Sequence, residues 1–103
     1  KLHMHLRNQK VERELLLQFL RSGTSIGANV EEAIGAQSKS DFIHKVSIAY
    51  KEARETSYWL RLLNDAGLLD TKLSQSFLTD IDELKKILAS ILKTSKNSNS
   101  PHS

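Results

Sequence analysis

Lys51, Arg54, Tyr58 and Arg61 follow one another at spacings of three, four and three, so on a helix they share one face. That face carries three cations around one aromatic ring. Guanidinium and ammonium groups suit phosphate oxygens, and the ring offers a surface on which a base can stack. The same spacing also describes an ordinary solvated helix, with Lys51 pairing with Glu55 and Arg54 lying along the surface near Tyr58. A second basic group lies upstream, where Lys1, Arg7, Lys10, Arg13 and Arg21 outweigh Glu12 and Glu14. The candidate contacts to RNA or single-stranded DNA are therefore Arg7, Lys10, Arg13 and Arg21, with Lys51, Arg54, Tyr58 and Arg61 as a second group.

Catalytic patterns fare worse. Di-metal sites in helical bundles use a Glu three residues before a His on two helices, and no Glu here stands three before a His. Glu32, Glu52 and Glu55 are better read as partners for Asn29, Thr56 or a cation. His44 stands alone, and no residue pattern puts a nucleophile on a strained turn or builds an oxyanion hole. The glycine-, serine- and threonine-rich run from Ser22 to Gln37 lacks the Gly-Lys pair of a Walker loop and the strand that precedes a dinucleotide fingerprint. The expectation is a non-enzymatic protein without cofactor or metal.

That run reads better as a helix with a narrow waist. Gly23 and Gly27 lie four apart, and Phe19, Ile26, Val30 and Ala33 continue an apolar stripe at helical spacing. A helical glycine costs about 1 kcal/mol relative to alanine, so close helix approach is the expected return. Gly23, Gly27, Asn29 and Glu32 form the candidate close-packing motif. On this reading Gly27→Leu overpacks the contact and destabilises by about 1 to 3 kcal/mol.

These side chains must be carried on few elements. A chain of 103 residues makes one domain, and a subunit interface would add to its modest core. There is no cysteine, hence no disulfide framework and no thiolate zinc site, which suits the cytoplasm. No apolar run is long enough for a membrane span, and Lys1-Leu2-His3-Met4 contains no signal-peptide core. The formal charge of +3 permits an anionic partner without requiring one.

Hydrophobic periodicity predicts an all-α domain over residues 1–93 and a disordered polar tail over 94–103. Four helical segments are expected: residues 1–8, as the end of a shortened first helix, then 11–36, 39–66, and a last one capped by Asp70 or Thr71. Ser38 with Asp41 signals the third start, and Gly67 its stop. Leu73, Phe77, Ile81, Leu84, Leu88 and Ile91 form a bundle seam on the last segment. On the third segment Phe42, Val46, Ala49, Ala53 and Leu60 face a core, flanked by Ile43 and Tyr50. Ile48, Trp59, Leu62 and Ala66 make a second apolar stripe. Ile48, Trp59 and Leu62 are the candidate oligomer interface, against the alternative that a neighbouring helix of the same chain covers them.

Three linked stretches then carry a resemblance: Gln18-x-x-Arg21-Ser22-Gly23-Thr24-Ser25-Ile26-Gly27-Ala28-Asn29-Val30-Glu31-Glu32-Ala33, Gln37-Ser38-x-x-Asp41-Phe42-Ile43-x-Lys45, and Ala49-x-Lys51-Glu52-Ala53-x-Glu55-Thr56-x-Tyr58-Trp59-Leu60. The chain resembles the four-helix bundle family encoded in intervening sequences of bacterial 23S rRNA genes. Gly27 stands where many relatives have proline, and the family's usual first helix is longer than what precedes Gln9. The resemblance implies a bacterial cytoplasmic protein, an antiparallel up-and-down four-helix bundle and a ring-like homopentamer. The family name records gene location and not a ribosomal role. The same fold occurs in the accessory variability determinant of diversity-generating retroelements, a basic pentamer that binds nucleic acid and a reverse transcriptase. A nucleic-acid-binding bundle is thus the leading expectation, and a protein-interaction scaffold or adaptor, for example for a reverse transcriptase, the alternative.

Overall fold

The computed structural model describes the backbone of residues 2–97 and the side chains of residues 9–97. Three helices make it up: α1 (Leu2–Ile34), α2 (Lys39–Asp65) and α3 (Thr71–Asn97), with no strand among the described residues. The expected count of four is corrected to three, because the predicted segments 1–8 and 11–36 are one continuous helix. The physical reason is local. Asn8, Gln9 and Lys10 include no glycine or proline, and Gln9, Lys10, Glu12 and Arg13 are good helix formers, so nothing offsets continued backbone hydrogen bonding. Helix α3 also runs four residues into the stretch assigned to the polar tail; residues 98–103 lie outside the described residues.

The helix ends follow their local signals. Ser38 has extended backbone and its hydroxyl accepts from the Asp41 N–H at 3.0 Å, which starts α2. At the other end Gly67 adopts φ +73°, its N–H bonds the Asn64 carbonyl at 3.0 Å, and the Leu68 N–H bonds the Leu63 carbonyl at 2.9 Å. These two bonds make a Schellman motif, and they need a left-handed residue at position 67. The Asp70 carboxylate then accepts from the Leu73 N–H at 3.2 Å to begin α3.

Helix α2 packs against both neighbours, whereas α1 and α3 approach each other through long side chains such as Phe19 and Phe77, with ring centroids 6.2 Å apart. Ion pairs Arg21–Glu52 and Glu32–Lys45 set α1 and α2 antiparallel. Ile26 and Ala33 of α1, Val46, Ala49 and Ala53 of α2, and Leu88 of α3 form the centre, with Val30, Phe42, Leu84 and Ile91 around it. Leu60 and Leu63 are fully buried further along α2. The core face expected for α2 is therefore observed, Phe42 being half-buried. On α3 the seam is only partly used: Leu88 is buried and Ile81, Leu84 and Ile91 half-buried, while Leu73 and Phe77 remain exposed. The result is a rod of 66 × 24 × 17 Å.

The narrow waist also moves. A Cβ built on Gly27 meets nothing within 4 Å, and one on Gly23 meets only Thr56 Cγ2 at an ordinary 3.9 Å. Gly27 is exposed, so the expectation that it mediates close packing within the chain is corrected. Close approach is provided by other small residues, all buried: Ser22 and Ala33 on α1, Ala49, Ala53, Thr56 and Ser57 on α2, and Ser74 on α3. Gly27→Ala is expected to raise stability by up to about 1 kcal/mol, whereas Gly67→Ala costs about 1 kcal/mol through left-handed strain. Urea denaturation followed by circular dichroism measures both; a destabilised Gly27→Ala protein contradicts the open placement of this residue.

Candidate nucleic-acid interface

Helix α2 presents its basic stripe on the side away from Val46, Ala53 and Leu60. Lys51, Arg54, Tyr58 and Arg61 are all exposed, as a 3.6-residue period requires of positions so far from the buried stripe. Together with Glu55 and with Lys85 of α3 they line a shallow depression of about 500 Å³. Lys51 and Arg54 make no hydrogen bond or ion pair among the described residues. The Lys51–Glu55 pair allowed by sequence does not form. Arg61 Nε donates to the Ser57 carbonyl at 3.3 Å and the residue is exposed, and Lys85 pairs with Asp82 at 3.2 Å.

Glu55 is instead engaged from the other side. Arg21 of α1 spans Glu52, at 3.4 Å, and Glu55, while its Nε donates to Gln18 at 2.9 Å. The Trp59 indole N–H donates to Glu55 at 3.1 Å, and the Trp59 ring meets Tyr58 edge-on, centroids 5.0 Å apart at 71°. The indole hydrogen bond is the main cause that holds the Glu55 carboxyl below its ordinary pKa; partial burial opposes it, and the Arg21 charge adds to it. Arg21 thus has two carboxylate partners. Of the candidate phosphate contacts whose side chains are described, it is the one paired with carboxylates.

The structure does not join the two predicted basic groups. Lys10 and Arg13 are exposed near the start of α1, where Arg13 lines a separate depression with Leu16, Leu17, Leu20 and Leu68. The Arg7 side chain lies outside the described residues. Lys85 went unnoticed in the sequence, because only the rotation of α3 against α2 brings it beside Arg61. Ile48, Trp59 and Leu62 are half-buried on the outer flank of α2, and Ala66 is exposed. Asn29 donates to the Ser25 carbonyl at 2.9 Å, and Glu32 pairs with Lys45 at 3.4 Å.

No group of three or more His, Asp or Glu among the described residues could hold a metal ion, and no described helix is long and apolar enough to cross a membrane. The fold and this surface define a small all-helical protein with a basic depression at the seam of two helices. The chain belongs to the 23S rRNA-intervening sequence protein family, whose model matches residues 2–90. It is similar to a crystal structure from Bacteroides thetaiotaomicron, described as a protein of unknown function from the S23 ribosomal protein family. The two are 51% identical with a TM-score of 0.74, over 77% of this chain and 70% of that one. No curated protein matches the chain.

The Arg21–Glu55–Trp59 contact is open to a pH test. Because the folded-state pKa of Glu55 is lowered, the stability it contributes is complete above the ordinary value of 4.5 and is lost as pH falls through the lowered one. Glu55→Gln is expected to cost about 1 kcal/mol at pH 7, a figure kept small by partial exposure of the pair, and the gap from wild type should narrow below pH 4. Denaturation midpoints at the two pH values provide the measurement, and an equal gap at both rules out an ionised Glu55 as the source.

Proposed function

We propose that this protein is a non-enzymatic, self-associating helical module that binds nucleic acid through the basic face of α2. The observation that carries this reading is the set of cations Lys51, Arg54 and Arg61, free of carboxylate partners and facing Lys85 across a shallow depression. Exposed cations free of acidic partners can neutralise phosphates and so release the counterions condensed on the nucleic acid, which gives affinity without base reading. Lys10 and Arg13 form a second, separate contact zone, with Arg7 in the same part of the sequence. Arg21 acts as a brace between α1 and α2 rather than as a phosphate ligand.

Self-association is the second half of the proposal. Leu16, Leu17, Leu20 and Ile34 of α1 and Leu73 and Ile87 of α3 are exposed in the single chain, Ile34 at 75%. So much apolar surface on a small rod favours a subunit partner. The half-buried flank of Ile48, Trp59 and Leu62 supplies a further contact, and a homopentamer is the assembly that the family resemblance implies. Fivefold repetition would concentrate the small charge of each chain into a ring of basic faces. The apolar depression at Leu16, Leu17, Leu20 and Leu68 favours a second reading, a scaffold for a protein partner.

Replacing Lys51, Arg54 and Arg61 by glutamine is expected to weaken binding to unrelated sequences alike, and to flatten the plot of log affinity against log salt by about 0.7 per lost contact on a single strand. A salt titration with fluorescent RNA checks this; an unchanged slope removes α2 from the interface. Sedimentation of the wild type should give about five times the chain mass of 11.6 kDa, and Trp59→Ala a lower mass. A monomer at micromolar concentration removes the ring and leaves the binding face to be tested alone.

A further inference from the structure

Tyr58 stands in the middle of the cations. Lys51 and Arg54 precede it by seven and four residues and Arg61 follows it by three, so the four positions rise along one helix face over about 15 Å. The residue is 51% exposed, so its ring is open to a partner from solvent. Its orientation is not left free. The Trp59 ring packs edge-on against it, Trp59 is tied to Glu55 by the indole N–H, and Glu55 is tied through Arg21 to α1. Three contacts in series, spanning two helices, therefore hold an aromatic side chain at the surface among cations.

We infer that the Tyr58 depression is a single-strand site, in which one unpaired base stacks on the Tyr58 ring while Lys51, Arg54, Arg61 and Lys85 hold the flanking phosphates. The inference rests on the nucleic-acid reading above and narrows it to a ligand class. In a duplex every base face is already covered by its neighbours, so a surface ring reaches only the backbone and adds nothing. In a single strand a base can turn out and cover the ring, and stacking of this kind tolerates any base because each has a π face. A purely electrostatic patch would need no aromatic group, and an ordinary solvated face would not need one braced by a neighbouring indole. Lys85 closes the depression from α3, so the strand lies across the seam of the two helices, in contact with both.

The test uses the full chain and three fluorescent probes at one low salt concentration: a 12-nucleotide oligothymidylate, an abasic strand of the same length, and a 12-base-pair duplex. Wild-type protein is expected to bind the oligothymidylate at least about fivefold more tightly than the abasic strand. Tyr58→Ala should erase that difference and leave abasic and duplex binding unchanged; Tyr58→Phe should keep it. Because Tyr58 is exposed, helical content by circular dichroism should be the same in all three proteins. If wild type binds the abasic and thymidine strands equally, or if Tyr58→Ala retains the preference, the stacking site is overturned while backbone binding by α2 survives. If wild type binds none of the three probes, the nucleic-acid reading fails and this inference fails with it.

Discussion

Among the described residues the backbone packing that holds this molecule together runs through α2, because α1 and α3 each lie along it and approach each other through long side chains such as Phe19 and Phe77. One helix can accept two neighbours only if its buried face is slim. Ala49, Ala53, Thr56 and Ser57 provide this, with Leu60 and Leu63 filling the wider end. The hydroxyls on this face must be satisfied for such a seam to be stable. Thr56 donates to the Glu52 carbonyl at 2.7 Å and Ser22 to the Gln18 carbonyl at 2.9 Å, each turning its polar atom back onto its own helix. Thr56 and Ser22 thus bring the backbones together while bonding within their own helices, whereas the buried Ser74 Oγ of α3 has no hydrogen-bond partner among the described residues.

This division explains which parts of the fold were legible in the sequence. Helix ends rest on interactions within a few residues, so Ser38 with Asp41, Gly67, and Asp70 marked their boundaries correctly. A boundary placed between residues 8 and 11 had no such signal, only a weakening of apolar periodicity, and hydrogen bonding of the backbone carried α1 straight through. The extension of α3 to Asn97 has the same cause: Thr94, Ser95 and Lys96 lack apolar character but contain no breaker. The glycines of α1 misled because low helix propensity has more than one explanation. The close packing they suggested is real, but it belongs to serine and alanine positions whose small size is less conspicuous.

The basic face follows the same logic. Its membership on α2 could be read from spacing, since Lys51, Arg54, Tyr58 and Arg61 share a face whatever the helix packs against. Which of the cations are free could not be read. Arg21 looked like a member of the upstream basic group until the register of α1 against α2 set it over Glu52 and Glu55. That pairing in turn withdraws Glu55 from Lys51, so one contact across the helices both removes a cation from one group and leaves another unpaired. Lys85 enters for the corresponding reason, because the rotation of α3 is fixed by Leu88 and its neighbours and not by any local signal.

The polar and apolar surfaces are consequently separated. On α2 the cations occupy the side away from the core, whereas the exposed apolar residues sit on α1 and α3, at Leu16, Leu20, Ile34, Leu73 and Ile87. Assembly over those apolar edges alone would leave the cations of α2 in water, whereas the flank of Ile48, Trp59 and Leu62 lies directly beside Tyr58 and Arg61, so a subunit contact there would border the basic face. The Arg21 brace lies between the two regions: its single charge offsets part of the negative charge of Glu52 and Glu55, and through Glu55 it ties Trp59 and Tyr58 to α1. A change in the seating of α1 would therefore reach Tyr58 through Arg21, Glu55 and Trp59 and, with it, the buried seam through Ser22, Ile26 and Ala33.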